Sequence, residues 1–281
     1  FVTICALSSA FALKSYREGR MEYLAPVSLC LDRETTDGKT AGEVLEEKGF
    51  DMAALDVGAE FCTYETDTVT EGTLLGSYMD HLKENGFSEE YAAQPVEIIR
   101  LSDYNRAARF YGFDPVSLGE DEYAISSDYP NTVDYYNEGL KVNDTIEIHG
   151  RTLTAAYGEC VKGYIRMRYS ESNMGLVIVP DDVEFAEGER YASLLIADYA
   201  EGYDTDEFRS YMDDGEFEAL VSGREDEPVM YISTQSDIYD DSIGSSAMVI
   251  FIALYLGFVF IISGAAILAL KEMSDAIDSR H

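Results

Sequence analysis

Tryptophan is absent from the 281-residue chain, and cysteine, histidine and proline are scarce, with four, three and six residues. The cysteines, Cys5, Cys30, Cys62 and Cys160, are too few for a disulfide-built scaffold, and their spacing fits no zinc-ligand motif. No glycine-rich phosphate-binding motif is present either. These shortages argue against a disulfide scaffold, a zinc-finger protein and a nucleotide hydrolase of the Walker type.

Positive charge is also in short supply. The chain has 20 Lys and Arg residues against 54 Asp and Glu, so its formal net charge is -34. Phosphate backbones are bound by Lys and Arg, and we therefore expect no nucleic-acid partner. Disorder is not expected, because 46% of the residues are hydrophobic and 12% are aromatic.

One long segment lacks charge altogether. Residues 247–270 form a run of 24 residues in which only Ser263 is polar. At about 1.5 Å per residue, a helix of this length covers about 36 Å, enough to cross a hydrocarbon core of about 30 Å. Backbone groups in lipid must pair with each other, which a helix achieves. We predict a transmembrane helix within residues 242–270 and a cytoplasmic start over 271–281.

The first residues, 1–13, are also apolar but too short to span a membrane alone. Small residues over 6–10 resemble a signal-peptidase site, so a signal peptide is one interpretation. The other, which we favour, is the C-terminal part of a transmembrane helix, and the chain is then expected to be a fragment of a multi-pass protein. Loop charges do not settle the orientation of the membrane segments.

Residues 14–241 are predicted to form one large domain with 51 acidic and 18 basic residues, a net charge of -33. Its length suffices for a full hydrophobic core. Short runs of alternating polarity predict strands, and Gly150 between two of them predicts a hairpin turn. The nine predicted strands are 27–31, 96–100, 122–126, 145–149, 152–157, 164–169, 176–179, 191–197 and 229–233.

Four helices are predicted between these strands. Thr40 and Glu43 have the spacing of a capping box, and Gly49 is expected to end the helix they begin. The other helices are predicted from Leu75, Tyr78, Met79 and Leu82, ending at Gly86, from Tyr104, Ala107, Ala108 and Tyr111 after Ser102 as N-cap, and from Phe208, Tyr211 and Met212. Interleaved strands and helices predict an α+β (mixed α/β) domain flanked by two transmembrane helices.

A thiol–imidazole dyad is the most obvious catalytic arrangement to consider. Cys62 or Cys160 with His81 or His149 would supply the residue types. No local motif supports such a dyad, and a free cysteine is usually a small buried hydrophobe. We therefore predict no catalytic residue, no cofactor and no enzyme activity.

Two short motifs suggest ligands but have simpler interpretations. Asp204-Thr205-Asp206 begins like a calcium loop, yet Phe208 occupies the position of the third acidic ligand, so a helix cap is favoured and no metal site is predicted. Asn143-Asp144-Thr145 matches a glycosylation sequon, which is a frequent chance match.

Basic side chains concentrate in one region of the sequence, Arg151, Lys162, Arg166 and Arg168. On the predicted strand 164–169, Arg166 and Arg168 would share one face. Two interpretations are open: cross-strand ion pairs with acidic residues, or contact with a phosphate headgroup.

The last apolar helix, LGFVFIISGAAIL at 256–268 followed by LKEMSDA at 270–276, resembles the helix after the extracellular domain of FtsX-like ABC transporter permeases. The similarity is closest to the bacitracin-export (Bce-type) branch and covers nearly the whole chain. None of the similar motifs is catalytic. Looser similarities lie at 101–105, Gly112, 118–123, 146–154 and 176–182.

This resemblance implies that residues 14–241 form an extracellular domain of a multi-pass permease in the cell membrane. It implies a separate cytoplasmic ABC ATPase, often a membrane histidine kinase, and peptide antibiotics or their complexes with cell-wall lipids as ligands. Export, target release and resistance signalling are the implied uses. A membrane-anchored cell-envelope enzyme and a two-span structural or adhesive surface protein are the alternatives, and no ligand-contacting residue is assigned.

Overall fold

The computed structural model describes residues 19–213, 215–221 and 228–278, together with Ser8, Ala12, Ser15 and Tyr16. The chain divides into two compact units. One is Leu24–Asp237, and the other consists of Phe1–Tyr23 and Ile238–His281. The membrane helix predicted for residues 1–13 lies outside the described residues, apart from Ser8 and Ala12.

A nine-stranded mixed sheet organises the first unit. Its strands are β1 (Leu29–Glu34), β2 (Leu55–Tyr64), β3 (Ile98–Arg100), β4 (Glu122–Ser126), β5 (Thr145–Ile148), β6 (Arg151–Ala155), β7 (Leu176–Val179), β8 (Arg190–Tyr199) and β9 (Met230–Thr234). Their order is β5-β6-β4-β7-β3-β2-β8-β1-β9. The pairs β3–β7 and β4–β6 are parallel, whereas the other pairs are antiparallel.

Short helices connect the strands, so the predicted mixed α/β architecture is confirmed for this unit. They are α1 (Ala41–Glu47), α2 (Glu71–Leu75), α3 (Tyr78–Glu84), α4 (Glu89–Ala92), α5 (Leu101–Tyr111), α6 (Pro130–Val142), α7 (Asp206–Asp213) and α8 (Glu216–Val221). Two single 3₁₀ turns cover Met52–Ala54 and Glu187–Glu189, and α9 (Gln235–Asp278) follows β9 directly.

Two hydrophobic clusters cover one face of the sheet. Leu31 of β1 pairs with Leu195 of β8, and α1, α7 and α8 pack against this region. Ile98 of β3 pairs with Val177 of β7, and α2, α3 and α6 supply the side chains that cover them. Side chains alternate along each strand, so every second residue points to the opposite face of the sheet, which other segments cover.

The opposite face is covered by α5 and by the irregular segment 156–175. Tyr104 of α5 lies within hydrogen-bonding distance of Ser126 of β4, with 3.2 Å between their hydroxyl oxygens. Tyr111 donates to the carbonyl of Ile165 at 2.9 Å, which ties the irregular segment to α5. This packing places Ile165 and its neighbours over the sheet instead of in it.

Local signals predicted several turns and caps correctly. Thr40 and Glu43 form the predicted capping box, with each side chain accepting from the other residue's backbone N–H. The hairpin between β5 and β6 turns at His149 and Gly150, both with positive φ, of 52° and 79°. Two successive positive φ values are those of a type I′ turn, whose twist matches a two-residue hairpin.

One predicted strand is absent from the structure, and one observed strand was not predicted. Residues 164–169 form no strand. Their backbone bonds to side chains instead of to a neighbouring strand, as when the carbonyl of Ile165 accepts from the Tyr111 hydroxyl. The ten-residue strand β2 was not predicted, although its side chains alternate between buried and partly exposed from Ala59 to Thr63. A bulge between Val57 and Ala59 interrupts the pattern at Gly58.

The helix predictions differ from the structure in several places. Ser102 is not the N-cap of α5. The cap residue is Arg100, and the Ser102 N–H is instead bound by the Asp181 carboxylate at 2.9 Å. The single helix predicted around Leu75 and Leu82 is two helices, because Gly76 breaks it. Helices α4, α6 and α8 were not predicted.

The second unit contains one helix, among the described residues, that is long and apolar enough to cross a membrane. This segment, Phe251–Asp275, is part of α9, and only 6% of its most apolar part is buried. It overlaps the predicted span and is consistent with association with a membrane. A second flanking span is not present in the described part of the chain.

Candidate functional site

A cleft of about 250 Å³ lies where several strands of the sheet end or begin. Glu65 follows β2, Glu97 precedes β3, Gly175 precedes β7, and Tyr191 lies at the start of β8. Antiparallel neighbours place the end of one strand beside the start of the next, which brings these positions to one edge. We call this cavity the acidic cleft. Its remaining lining residues are Glu71, Tyr91, Gln94, Pro95, Val96, Tyr164, Ile165, Arg166, Arg168, Ser172, Asn173 and Met174.

Arg166 is held by two carboxylates at the wall of the cleft. Its Nε and Nη2 donate to Asp32 at 2.5 and 3.3 Å, and its Nη1 and Nη2 donate to Glu97 at 2.6 and 2.7 Å. The Arg166 side chain is 11% exposed. Paired, hydrogen-bonded geometry of this kind offsets the cost of burying charge. One positive charge is thus shared by two negative ones.

Glu65 lies beside this triad without a cation of its own. Within the described residues its carboxylate makes no hydrogen bond and no ion pair, and it is only half-buried. Burial raises its pKa, the charge of Glu97 raises it further, and Arg166 lowers it. Glu65 is therefore a carboxylate whose ionised form would be stabilised by an additional cation.

Glu71 lies deeper in the same cleft and is 8% exposed. Both carboxylate oxygens accept from the Tyr136 hydroxyl, at 3.0 and 2.9 Å, and Tyr91 also donates to it. Burial raises the pKa of Glu71 to about 7, although the two phenols favour the ionised form. Near neutral pH this group is therefore divided between its charged and neutral forms.

Asn173 holds the wall formed by the segment before β7. Its side-chain amide donates to the carbonyls of Ser126 and Gly163, at 3.1 and 2.8 Å, and its backbone N–H donates to Asp128 at 2.7 Å. Two residues on, a Cβ at Gly175 would lie 2.3 Å from the Tyr136 hydroxyl oxygen. Only glycine lets Tyr136 approach this wall, and hence reach Glu71.

The four basic residues that are close in sequence do not form one cluster. Arg166 and Arg168 both line the cleft, while Arg151 pairs with Asp121 and Asp182, each at 2.9 Å. Lys162 pairs with Glu171 at 3.0 Å. Three of the four residues thus form ion pairs with acids, but the cross-strand form of this interpretation was wrong, because residues 164–169 form no strand. Arg168 contacts the carbonyl of Ser172 at the exposed rim.

The candidate dyad residues are engaged elsewhere. His149 contacts Glu189 at 3.2 Å, and His81 interacts with Asn85. Among the described residues, no cysteine hydrogen-bonds to a histidine, and Cys30, Cys62 and Cys160 are free thiols. Burial raises the pKa of Cys62 and raises that of Cys160 to about 12, so both thiols are protonated at neutral pH. Cys5 lies outside the described residues.

The two short motifs have structural roles. Thr205 caps α7 by accepting from the Phe208 N–H at 3.2 Å, which confirms the helix-cap interpretation. Asp204 pairs with Arg209 at 2.6 Å. The amide of Asn143 donates to the carbonyl of Thr73 at 2.6 Å. No group of His, Cys, Asp or Glu suited to a metal ion occurs among the described residues.

Sequence reasoning did not identify the cleft. Glu65, Glu71 and Glu97 are three acidic residues among 54, and no local motif distinguishes them. A usable signal was present only for Glu71, which directly follows the N-cap Thr70 where α2 begins. A carboxylate there is expected on dipole grounds but gives no indication of burial.

Comparison with known proteins adds no assignment. No family model matches the sequence, and no curated protein matches it either.

Proposed function

We propose that the chain is part of an FtsX-like ABC transporter permease of the bacitracin-export branch. In this proposal the acidic domain is extracellular and binds cationic peptide antibiotics or their complexes with cell-wall lipids. The observation that carries the proposal is the combination, in one chain, of a strongly acidic folded unit and an exposed apolar helix, Phe251–Asp275. The sequence resemblance supplies the family.

Charge supports the ligand class. Residues 14–241 carry a net charge of -33, and the acidic cleft adds a localised site with the half-exposed ring of Tyr191 at its mouth. A field of this sign extends over about a Debye length, roughly 8 Å at physiological salt, and draws in cations. Such steering raises the association rate more than the affinity, while aromatic contacts supply specificity.

The partners in this proposal are a cytoplasmic ATPase subunit, a membrane histidine kinase and the lipid bilayer. Energy from ATP would reach the permease through its membrane helices, since the sequence has no phosphate-binding loop. The chain itself then performs no chemistry. Nucleotide hydrolysis by the purified chain would contradict this division of labour.

The test is binding of a cationic wall-active peptide to the full chain in lipid nanodiscs. Association and dissociation rates are measured at low and high salt, with a scrambled peptide of equal charge as control. We expect the association rate to fall steeply with salt for both peptides, because steering depends on charge alone. Only the wall-active peptide should retain a slow, salt-resistant dissociation. Equal dissociation rates for the two peptides at both salt concentrations would show that the acidity serves solubility and would refute the ligand class.

A further inference from the structure

We propose that the acidic cleft receives one guanidinium or ammonium side chain of a bound peptide. This inference rests on the proposed function, and it specifies which chemical group of the ligand this cavity recognises.

The charges around the cleft support a cationic occupant. Asp32 and Glu97 hold the guanidinium of Arg166, and Glu65 and Glu71 are two further carboxylates that line the cleft. Arg166 is fully engaged by Asp32 and Glu97, and Arg168 bonds to a carbonyl at the rim. Glu65 and Glu71 are therefore left without a cation among the described residues. A cationic group between them would complete the pairing.

The size of the cavity supports a single side chain. Pockets for drug-sized ligands typically have about 300 to 1,000 Å³. At about 250 Å³ the cleft falls below that range, so it suits one long side chain and not a folded peptide. The mouth is open to solvent at Tyr191 and Met174, which are 46% and 52% exposed.

Aromatic walls give the second reason for preferring a cation. Tyr91 of α4, Tyr164 of the irregular segment and Tyr191 of β8 all line the cleft. The faces of aromatic rings attract ammonium and guanidinium groups, and their edges pack against methylene chains. A Lys or Arg side chain combines the two, since it carries a charged group at the end of a methylene chain.

The absence of tryptophan makes a specific reporter available. In a Tyr191→Trp chain, the new residue is the single tryptophan and lies at the mouth of the cleft. The full chain in nanodiscs is titrated with N-acetyl-arginine amide and with N-acetyl-citrulline amide, its uncharged isostere. Calorimetry on the chain without the reporter checks that the new ring does not create the site.

We expect a saturable fluorescence change with the arginine probe and none with the citrulline probe. Glu65→Gln should weaken arginine binding about tenfold, the loss expected for one charge-assisted hydrogen bond. The matched control is Glu147→Gln, an equal charge change on the exposed side of β5, far from the cleft in the sheet order. Since Glu65 has no partner to lose, its substitution should leave the fold intact.

Equal binding of the two probes, or equal effects of Glu65→Gln and Glu147→Gln, would overturn the inference. If the wall-active peptide binds while the arginine probe does not, the cleft assignment fails and the proposed function survives. If neither binds, both fail.

Discussion

Arginine is usually exposed at protein surfaces, but Arg166 is largely buried and holds together parts of the chain that are distant in sequence. It joins Asp32 of β1 to Glu97 before β3, and two strands, β2 and β8, lie between these two in the sheet. Removing one partner of a buried ion pair leaves uncompensated charge, which costs about 3–5 kcal/mol. The side chain therefore links the irregular segment 156–175 to the sheet.

We expect Arg166→Met to lower the free energy of unfolding by about 3–5 kcal/mol, because Asp32 and Glu97 would face each other unpaired. Arg168→Met, an identical change at the exposed rim, should have an effect within about 0.5 kcal/mol. Urea unfolding of the full chain in detergent, followed by circular dichroism, measures both. Adding Asp32→Asn and Glu97→Gln to Arg166→Met should restore part of the loss. An unrescued triple variant would contradict the charge explanation.

Glu71 predicts a pH dependence of stability. Its pKa is raised to about 7 by burial, against 4.5 for an unperturbed glutamate. Between these values the folded protein keeps a proton that the unfolded chain releases, so the free energy of unfolding falls as pH rises. This group contributes at most about 1.4 kcal/mol per pH unit. Tyr91 and Tyr136 face the carboxylate and reduce the effect, since both donate to its charged form.

The corresponding variant is Glu71→Gln, which keeps an acceptor for Tyr136 but cannot ionise. Unfolding of the natural chain and of this variant is compared from pH 4.5 to 7.5. The difference in stability between the two should shift in favour of the variant as pH rises through this window. Parallel curves would show that Glu71 does not titrate there.

At the scale of elements, α5 shows how a glycine ends a helix. Gly112 follows Tyr111 with φ of 78°, and its N–H bonds to the carbonyls of Ala108 and Arg109. A Cβ at Gly112 would meet no atom within 4 Å, so only the backbone conformation requires glycine.

We expect Gly112→Ala to destabilise the protein by about 1 kcal/mol, the cost of a left-handed conformation for an L-residue. Gly188→Ala is the matched control. It also has open space around the new Cβ, but its φ lies outside the left-handed region. Its effect should be near zero or slightly stabilising, because alanine restricts the unfolded chain. Thermal unfolding of the two variants gives the comparison, and equal losses would indicate a packing cause instead.

At the scale of the whole molecule, the chain combines a net charge of -34 with one exposed apolar helix. Ile262, near the centre of Phe251–Asp275, is 68% exposed, and Met273 near its end is 62% exposed. A soluble protein rarely leaves a contiguous apolar surface of this kind uncovered. Lipid is the environment in which such a surface is stable.

We expect Phe258→Asp combined with Ile262→Asp to release the chain from membranes, since each central aspartate costs about 3 kcal/mol. Met273→Asp should have little effect, because charge near a span end reaches the interface. Resistance to alkaline carbonate extraction distinguishes the variants. Retention of the double variant would mean that Phe251–Asp275 is not what anchors the chain.

Local patterns allowed much of the fold to be assigned in advance. Strands β4 and β7 were predicted with their observed bounds, because each is a short apolar run between turn residues. The α6 helix was missed because its buried stripe includes Thr132 and Gly139, which a hydrophobic pattern does not count. The strand predicted at 164–169 was wrong for the opposite reason. Most of its apolar side chains are buried, but they are buried by packing over the sheet and not by belonging to it.

From the sequence alone we could assign the apolar helix, the acidic surface, the Thr40 cap and the hairpin at Gly150. Each depends on residues adjacent in the chain, so neighbouring chemistry suffices. The acidic cleft, in contrast, was decided by the order of the strands. Glu65, Glu97 and Arg166 lie tens of residues apart in the sequence. They come together only at the edge of the sheet where β2 ends and β3, β7 and β8 begin. The same holds for the raised pKa of Glu71, since burial is a property of the folded chain and not of its sequence neighbours.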